Sequence, residues 1–261
     1  MTTRLLVLQP SDGDPPERLG EWLACAGADL ILRRPATEGV PESLDGVEGV
    51  VCMGGVMGAH DDADHPWLAA LRWLLADAVA RRLPVLGVCL GGQLLAVATG
   101  GAVRCAVDGP EAGTMLVAKR DAAALDPLFA QLPLTPDVIQ FHHDEIHRLP
   151  PGATLLASSP RQAIQAFRVG MAGYGLQFHI ETSPATVLSW ARHDAAGAAA
   201  VAPGQLDPVH LEQVHADIAE VWQPVAARFV AMAAGELTGS GAVGSAALGP
   251  GDRPVLPLVG H

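Results

Sequence analysis

A chain of 261 residues is long enough to bury a large core, and one α/β domain with a short tail is the simplest organisation. Apolar residues make up 49% and aromatics only 4%, so the core is built mainly from Leu, Val and Ala. The net charge of −12, with Lys119 the only lysine and no basic stripe, argues against nucleic acid as a partner, because phosphate contacts need clustered Lys and Arg. Arg4–Gln9 reads as a first strand, Pro16–Ala26 as a helix and Ala28–Leu32 as a second strand. Val47–Met53 reads as a third, ending at Gly54-Gly55, where backbone can approach a ligand closely. After a polar loop, Val56–His65, Pro66 suits the start of a helix reaching Arg82, with Leu68, Leu71, Leu75 and Val79 at helical spacing.

Pro84–Gly101, PVLGVCLGGQLLAVATGG, is the stretch with chemical content. A buried strand, Pro84–Val88, runs into Cys89, a turn over Leu90, Gly91 and Gly92 follows, and a helix covers Gln93–Thr99. A nucleophile at such an elbow is exposed above the sheet, with the next backbone N–H aimed at the reacting atom. The helix N-terminus beside it favours thiolate over thiol. The 21 uncharged residues between Arg82 and Arg104 are long enough to cross a bilayer, but Pro and Gly divide them into a strand and a short helix, so they read as core and no membrane is implied.

Strands alternating with helices predict a doubly wound, mainly parallel sheet with ligands at the carboxyl ends of its strands. Beyond Gly101 the pattern turns to short strands at Ala102–Ala106, Thr114–Ala118, Asp137–Phe141, Thr154–Ser158, Gln162–Phe167 and Gly175–Phe178. A helix is expected near Asp126–Gln131 and a hairpin turn at Gly170–Gly173. Helices are expected at Pro184–Arg192 and at Leu211–Ala234, the second with a break at Pro224. Residues 1–195 thus form the α/β part, 196–234 a helical extension, and 235–261, rich in Gly, Ala, Pro and Ser, a loose tail.

Cys25, Cys52, Cys89 and Cys105 lack C-x-x-C spacing, which argues against structural zinc or a disulfide framework and for a reducing, cytoplasmic compartment. MTTRLLVLQP lacks the longer apolar region of a signal peptide. Two clusters, His60-Asp61-Asp62 with Asp64 and His65, and His142-His143-Asp144 with His147, have ligand-like residues. The first precedes a helix, where acidic residues suit the macrodipole, so no metal is expected there. No phosphate loop follows Gly54-Gly55, since Lys-Ser/Thr is absent.

A cysteine nucleophile needs a base and a group to orient it. LQFHIETS, Leu176–Ser183, places His179 at a strand end and Glu181 two residues on, facing the same side if the chain stays extended. Glu181 could then hold the imidazole tautomer while the other ring nitrogen meets Cys89. Taken alone, Cys89 could be a core thiol, and His179 and Glu181 ordinary strand-end residues.

The C-x-G-x-Q elbow at Cys89, Gly91 and Gln93, with His179-x-Glu181 90 residues later, resembles the class I (triad) glutamine amidotransferases. Gly54-Gly55 and Phe141-His142-His143-Asp144, which looks like the W-H-x-D stretch of the branch similar to the GMP synthetase amidotransferase domain, support this over residues 1–195. Three positions depart from the pattern: Ile180 replaces the usual Pro, Gly92 an often larger residue, and Phe141 the Trp.

The resemblance implies a flavodoxin-like α/β fold with a smaller antiparallel section. It also implies attack of Cys89 on the γ-carbonyl of glutamine or a γ-glutamyl compound, with His179 as acid–base and no cofactor. Leu90, Gly54 and Gly55 would supply the oxyanion hole, and Gln93, His142, His143 and Asp144 would hold the glutamyl group. With no synthetase domain recognisable in the chain, three fates stand open. It could supply ammonia to a separate synthetase subunit, act as a free-standing γ-glutamyl hydrolase or peptidase, or serve as a catalytically silent binding protein.

Overall fold

The structure is a computed structural model and describes residues 2–237. The expected tail over 235–261 therefore lies almost wholly outside the described residues. The first half runs β1 (Thr3–Leu8), α1 (Glu17–Cys25), β2 (Ala28–Arg33), α2 (Pro35–Glu38), β3 (Gly49–Cys52), α3 (Trp67–Ala80), β4 (Val85–Val88) and α4 (Leu90–Ala98). It continues through β5 (Ala102–Cys105), β6 (Glu111–Leu116), β7 (Ala118–Lys119), β8 (Asp137–His142), β9 (Asp144–Arg148), β10 (Thr154–Ser158), β11 (Ala166–Val169) and β12 (Gly173–Leu176). Three helices follow: α5 (Pro184–His193), α6 (Ala195–Ala200) and α7 (Pro208–Ala233).

Eight strands form the central sheet in the order β2-β1-β3-β4-β12-β11-β10-β7. Pairs from β2 to β12 are parallel, and the β12-β11-β10-β7 edge is antiparallel. β5 with β9, and β6 with β8, make two small antiparallel ribbons. The parallel strands are buried on both faces, which is why they read as apolar runs rather than alternating ones. Leu5 and Val7 face one core with Leu19 and Leu23 of α1 and Trp222 and Phe229 of α7. Leu6 and Leu8 face the other core, with Leu68, Leu71 and Leu75 of α3 and Leu94 and Leu95 of α4. The expected doubly wound, mainly parallel sheet is present.

Several local expectations are corrected. Helix α4 begins at Leu90, directly after Cys89, so Leu90, Gly91 and Gly92 are its first turn rather than a separate loop. Asp126–Gln131 is not a helix: a 3-10 turn lies earlier, at Asp121–Leu125, and the Asp126 carboxylate accepts from the N–H groups of Leu128 and Phe129, closing a tight turn instead. Helix α7 runs unbroken through Pro224. Pro224 is on the solvent side, while Trp222, Val225 and Phe229 stay buried on the other, so water can serve the freed carbonyl and packing keeps the helix continuous. Two strands are displaced, to Ala166–Val169 and Gly173–Leu176, so His179 lies beyond its strand. Its backbone is nonetheless held in extended pairing, with N–H to Ile139 O at 2.8 Å and the reverse bond at 3.1 Å. No described helix is long and apolar enough to cross a membrane.

Strand order changes direction around β1 and β3, the kind of crevice where open α/β sheets bind ligands. The loops leaving the carboxyl ends of β1, β3, β4 and β12 carry Asp14, Gly54-Gly55, Cys89 and His179 respectively. All four meet above the sheet.

Candidate active site

Cys89 joins β4 to α4 with φ 51° and ψ −110°, a conformation a non-glycine residue adopts only under strain, at a cost of about 1–3 kcal/mol. Its neighbours are small because backbone crowds them. A Cβ at Gly91 would run into the Cys52 carbonyl, and one at Gly92 would come within 2.5 Å of Leu176 O. The Cys89 N–H bonds Leu176 O at 2.8 Å, fixing the elbow to β12. Leu90 is the first helical residue, and its N–H has no intrahelical acceptor.

Glu181 accepts from His179 Nδ1 at 2.7 Å through Oε1, and from the Ile180 N–H at 2.9 Å through Oε2. Both side chains are 1% exposed. His179 Nε2 has no hydrogen-bond partner among the described residues. Burial opposes a charge on the ring, but Glu181 and the nearby Cys89 sulfur more than offset it and raise the His179 pKa well above the usual histidine value. Cys89 is 7% exposed and opens on a cavity of about 600 Å³ that His179 also lines. Glu17 of α1 anchors the segment after Glu181, accepting from Ser183 N at 2.6 Å and Thr186 Oγ1 at 2.5 Å.

The other expected site residues fall around the same cavity, in different roles. Gly55 lines it, and a Cβ at Gly54 would stand 3.4 Å from His179 Cε1. Gln93 lines it too, but its amide nitrogen is engaged by Asp144 O and Gln177 Oε1, each at 3.3 Å. His142 is buried, its ring nitrogens 2.9 Å from Asp144 O and Gln140 Oε1. His143 is partly exposed and pairs with Asp194 at 2.5 Å. Asp144 lines the wall, its pKa raised by burial and by Asp61 across from it. Neither histidine cluster gathers a group of three or more His, Cys, Asp or Glu able to hold a metal among the described residues.

Sequence reasoning missed several wall residues, Trp190, Asp14 and Met57 among them. Trp190 of α5 lies over His179 with ring centroids 4.6 Å apart and donates to Gly13 O at 3.0 Å. Asp14 and Met57 come from loops without periodicity. Trp190 sits in a helix that was expected, but nothing in its spacing points toward the ring.

Comparison with known proteins gives the family of the chain. Residues 22–194 match the family model for glutamine amidotransferase class-I. The chain is 32% identical over 142 residues to gamma-glutamyl peptidase 3 of Arabidopsis thaliana, covering 53% of this chain and 56% of that protein. It is 31% identical over 143 residues to one subunit of the glutamine-hydrolyzing GMP synthase of Methanocaldococcus jannaschii, covering 54% of this chain and 69% of that one. The chain spans about half the length of the peptidases it matches. A crystal structure of a glutamine amido transferase from Methylobacillus flagellatus superposes with a TM-score of 0.76 at 29% identity, over 91% of this chain and 96% of that one. The chain belongs to the class-I glutamine amidotransferase family.

Proposed function

We propose that this chain cleaves the γ-amide of glutamine or of a γ-glutamyl compound, with Cys89 as nucleophile, His179 as acid and base, and Glu181 orienting the ring. The observation that carries this reading is the polarity of His179: Nδ1 is held by Glu181 at 2.7 Å, while Nε2 is left without another partner beside Cys89. The Cys89 thiolate adds to the γ-carbonyl carbon, and the carbonyl electron pair moves to oxygen. N–H groups of Leu90 and the Gly54-Gly55 loop receive that oxyanion; losing one such donor costs about 10²–10³ in rate. The C–N bond breaks as Nε2 of His179 gives its proton to the departing nitrogen, leaving a γ-glutamyl thioester. Nε2 then takes a proton from water as the water oxygen adds to the thioester, the C–S bond breaks, and the free γ-carboxylate leaves. Gln93 and the His142–Asp144 segment border the glutamyl group. No cofactor enters this scheme, and the four free cysteines suit a reducing cytoplasm.

In the first reading the freed ammonia passes to a separate synthetase partner, which the likeness to a GMP synthase subunit supports. In the second the chain is a γ-glutamyl hydrolase or peptidase that needs no partner, which the likeness to gamma-glutamyl peptidases supports. Ammonia or amine release, measured with wild type and Cys89→Ala, tests the shared chemistry. Turnover should vanish in the variant, and 6-diazo-5-oxo-norleucine should label Cys89 alone. Unchanged turnover in Cys89→Ala overturns the proposal.

A further inference from the structure

The charge of the cavity wall is one-sided. Asp14, Asp61, Asp144 and Asp194 all line it, and no Lys or Arg is among its described lining residues. Histidine offsets only part of this. His143 is paired with Asp194, and His193 Nδ1 lies 2.8 Å from the Ser189 carbonyl. Asp61 and Asp144 converge, because a Cβ at Gly58 would stand 3.2 Å from Asp61 Oδ2 and 3.3 Å from Asp144 Oδ2. Independently, Asp14 is 6% exposed and its Oδ2 has no hydrogen-bond partner among the described residues. A Cβ at Gly54 would stand 2.9 Å from Asp14 Oδ1 and 3.4 Å from His179 Cε1, so this carboxyl sits beside the ring that would hand a proton to the departing amine.

A buried carboxylate oxygen without a hydrogen-bond partner is costly, and a bound cation would supply that partner. Burial raises the Asp14 pKa by more than His179 and the Ser11 side chain lower it. The α-ammonium of a glutamyl group can occupy one such place, but the acidic groups stand at two, Asp14 by His179 and Asp61 with Asp144 by Gly58. The cavity volume of about 600 Å³ falls within the range of about 300–1,000 Å³ for sites that take ligands larger than one amino acid.

We propose that the substrate is a γ-glutamyl amide whose amine portion carries its own positive charge, as a diamine or a basic amino acid does, with Asp14, beside the ring that serves the departing amine, receiving that charge and the Asp61–Asp144 pair receiving the α-ammonium of the glutamyl group. This rests on the reading of Cys89 as the acceptor of the γ-glutamyl group. The hydrolytic step is the one given above, with the cationic amine as leaving group.

The test is an isosteric series: γ-glutamyl-1,4-diaminobutane, γ-glutamyl-butylamine and γ-glutamyl-4-aminobutyrate, compared by kcat/KM with the full chain. The cationic amide should exceed the neutral one by about tenfold or more at low salt, and the anionic one should be slowest. The preference should shrink as salt is added. Asp14→Asn should lower the cationic-to-neutral ratio by about threefold, whereas Asp61→Asn, at an exposed position where the amide oxygen can still accept from the Gly58 N–H, should slow all three amides alike and leave the ratio in place. Equal turnover of the three amides, or a preference for the anionic one, overturns the inference and leaves the Cys89 reading standing. A preference unchanged in Asp14→Asn, or lowered in Asp61→Asn alone, overturns the assignment of these carboxylates. Failure to cleave all three amides and glutamine overturns the underlying reading itself.

Discussion

The backbone N–H of Ile180 donates to Oε2 of Glu181 at 2.9 Å, the oxygen that His179 leaves open. Proline, which the family usually carries between the His and the Glu, has no N–H to give. The departure at position 180 thus exchanges a rigid φ angle for a hydrogen bond to a buried carboxylate. Such a bond contributes about 1.5–3 kcal/mol. Ile180→Pro should lower Tm by about 3–12 °C, at about 2–4 °C per kcal/mol for a domain of this size, and reduce kcat/KM for glutamine about tenfold or more. Ile180→Val keeps the donor and removes one methylene, so its activity should stay within about twofold of wild type, at a cost of about 0.5–1.5 kcal/mol. Thermal unfolding and steady-state rates check both. A proline variant as stable and active as wild type would show that the N–H contributes nothing.

His179 keeps its proton to an unusually high pH because Glu181 and Cys89 overcome the effect of burial. Activity that needs an imidazolium beside the nucleophile is therefore present below that raised value and lost as pH climbs through it. Glu181→Gln removes the larger of the two attractions while keeping an acceptor for Nδ1. The alkaline limb of the kcat/KM profile should move to lower pH, and the maximal rate should fall by about 10² or more. A pH–rate series on the two proteins reads this directly. An alkaline limb that stays in place would separate Glu181 from the titration of the ring.

The central fold was legible because its buried parallel strands are written as apolar runs, Leu5–Leu8, Gly49–Cys52 and Val85–Val88, each followed by glycine or a polar turn. The elbow at Cys89 was legible for the same reason, a buried strand running into a turn and two glycines. What escaped was encoded in side-chain hydrogen bonds or in packing over distance. The DEIHR run of β9 has no apolar alternation, and only its pairing with β5 makes it a strand. The Asp126 turn depends on one carboxylate that also meets Arg168 at 2.8 Å, a residue far along the chain. Pro224 looked like a helix break because proline's local rule is strong, yet the buried face on either side of it is stronger. Asp14 sits in a loop whose sequence, SDGDPP, says turn and nothing more.

Gly92 couples the two halves of the site. A Cβ there would lie 2.5 Å from Leu176 O and 3.0 Å from Leu176 N, so α4 and β12 are in backbone contact. The larger residue often found at this position in the family has no room here. Gly92→Ala should push the helix that begins after Cys89 away from the strand that leads to His179. Overpacking of this kind costs about 1–3 kcal/mol, or about 2–12 °C in Tm. Because the shift separates Cys89 from His179, kcat/KM should fall by more than about tenfold even at temperatures where the variant is fully folded. Circular dichroism with assays well below Tm distinguishes the two effects, and wild-type rates in a folded Gly92→Ala would show that the contact does not set the Cys89–His179 geometry.

Glu111, 1% exposed, lies behind the cavity rather than in it. Its carboxylate accepts from Gln165 Nε2 at 2.6 Å and Ser159 Oγ at 2.8 Å, and stands 3.6 Å from His142 Nε2. His142 in turn meets Asp144 O, which also accepts from Gln93. Burial opposes the charge of Glu111, but His142, Ser159 and Gln165 together hold its pKa below the ordinary value of 4.5. A depressed carboxylate pKa contributes stability that is present above the unfolded value and lost as pH falls through the folded one. Wild type should therefore exceed Glu111→Gln in Tm by about 3–12 °C at neutral pH, with the gap closing below about pH 4.5. Through His142 and Asp144 the same change should raise KM for glutamine more than it lowers kcat, because it loosens the cavity wall and leaves Cys89, His179 and Glu181 in place. A Tm difference that stays constant from pH 7 to pH ~3.5 would mean that the Glu111 charge is not what the network holds.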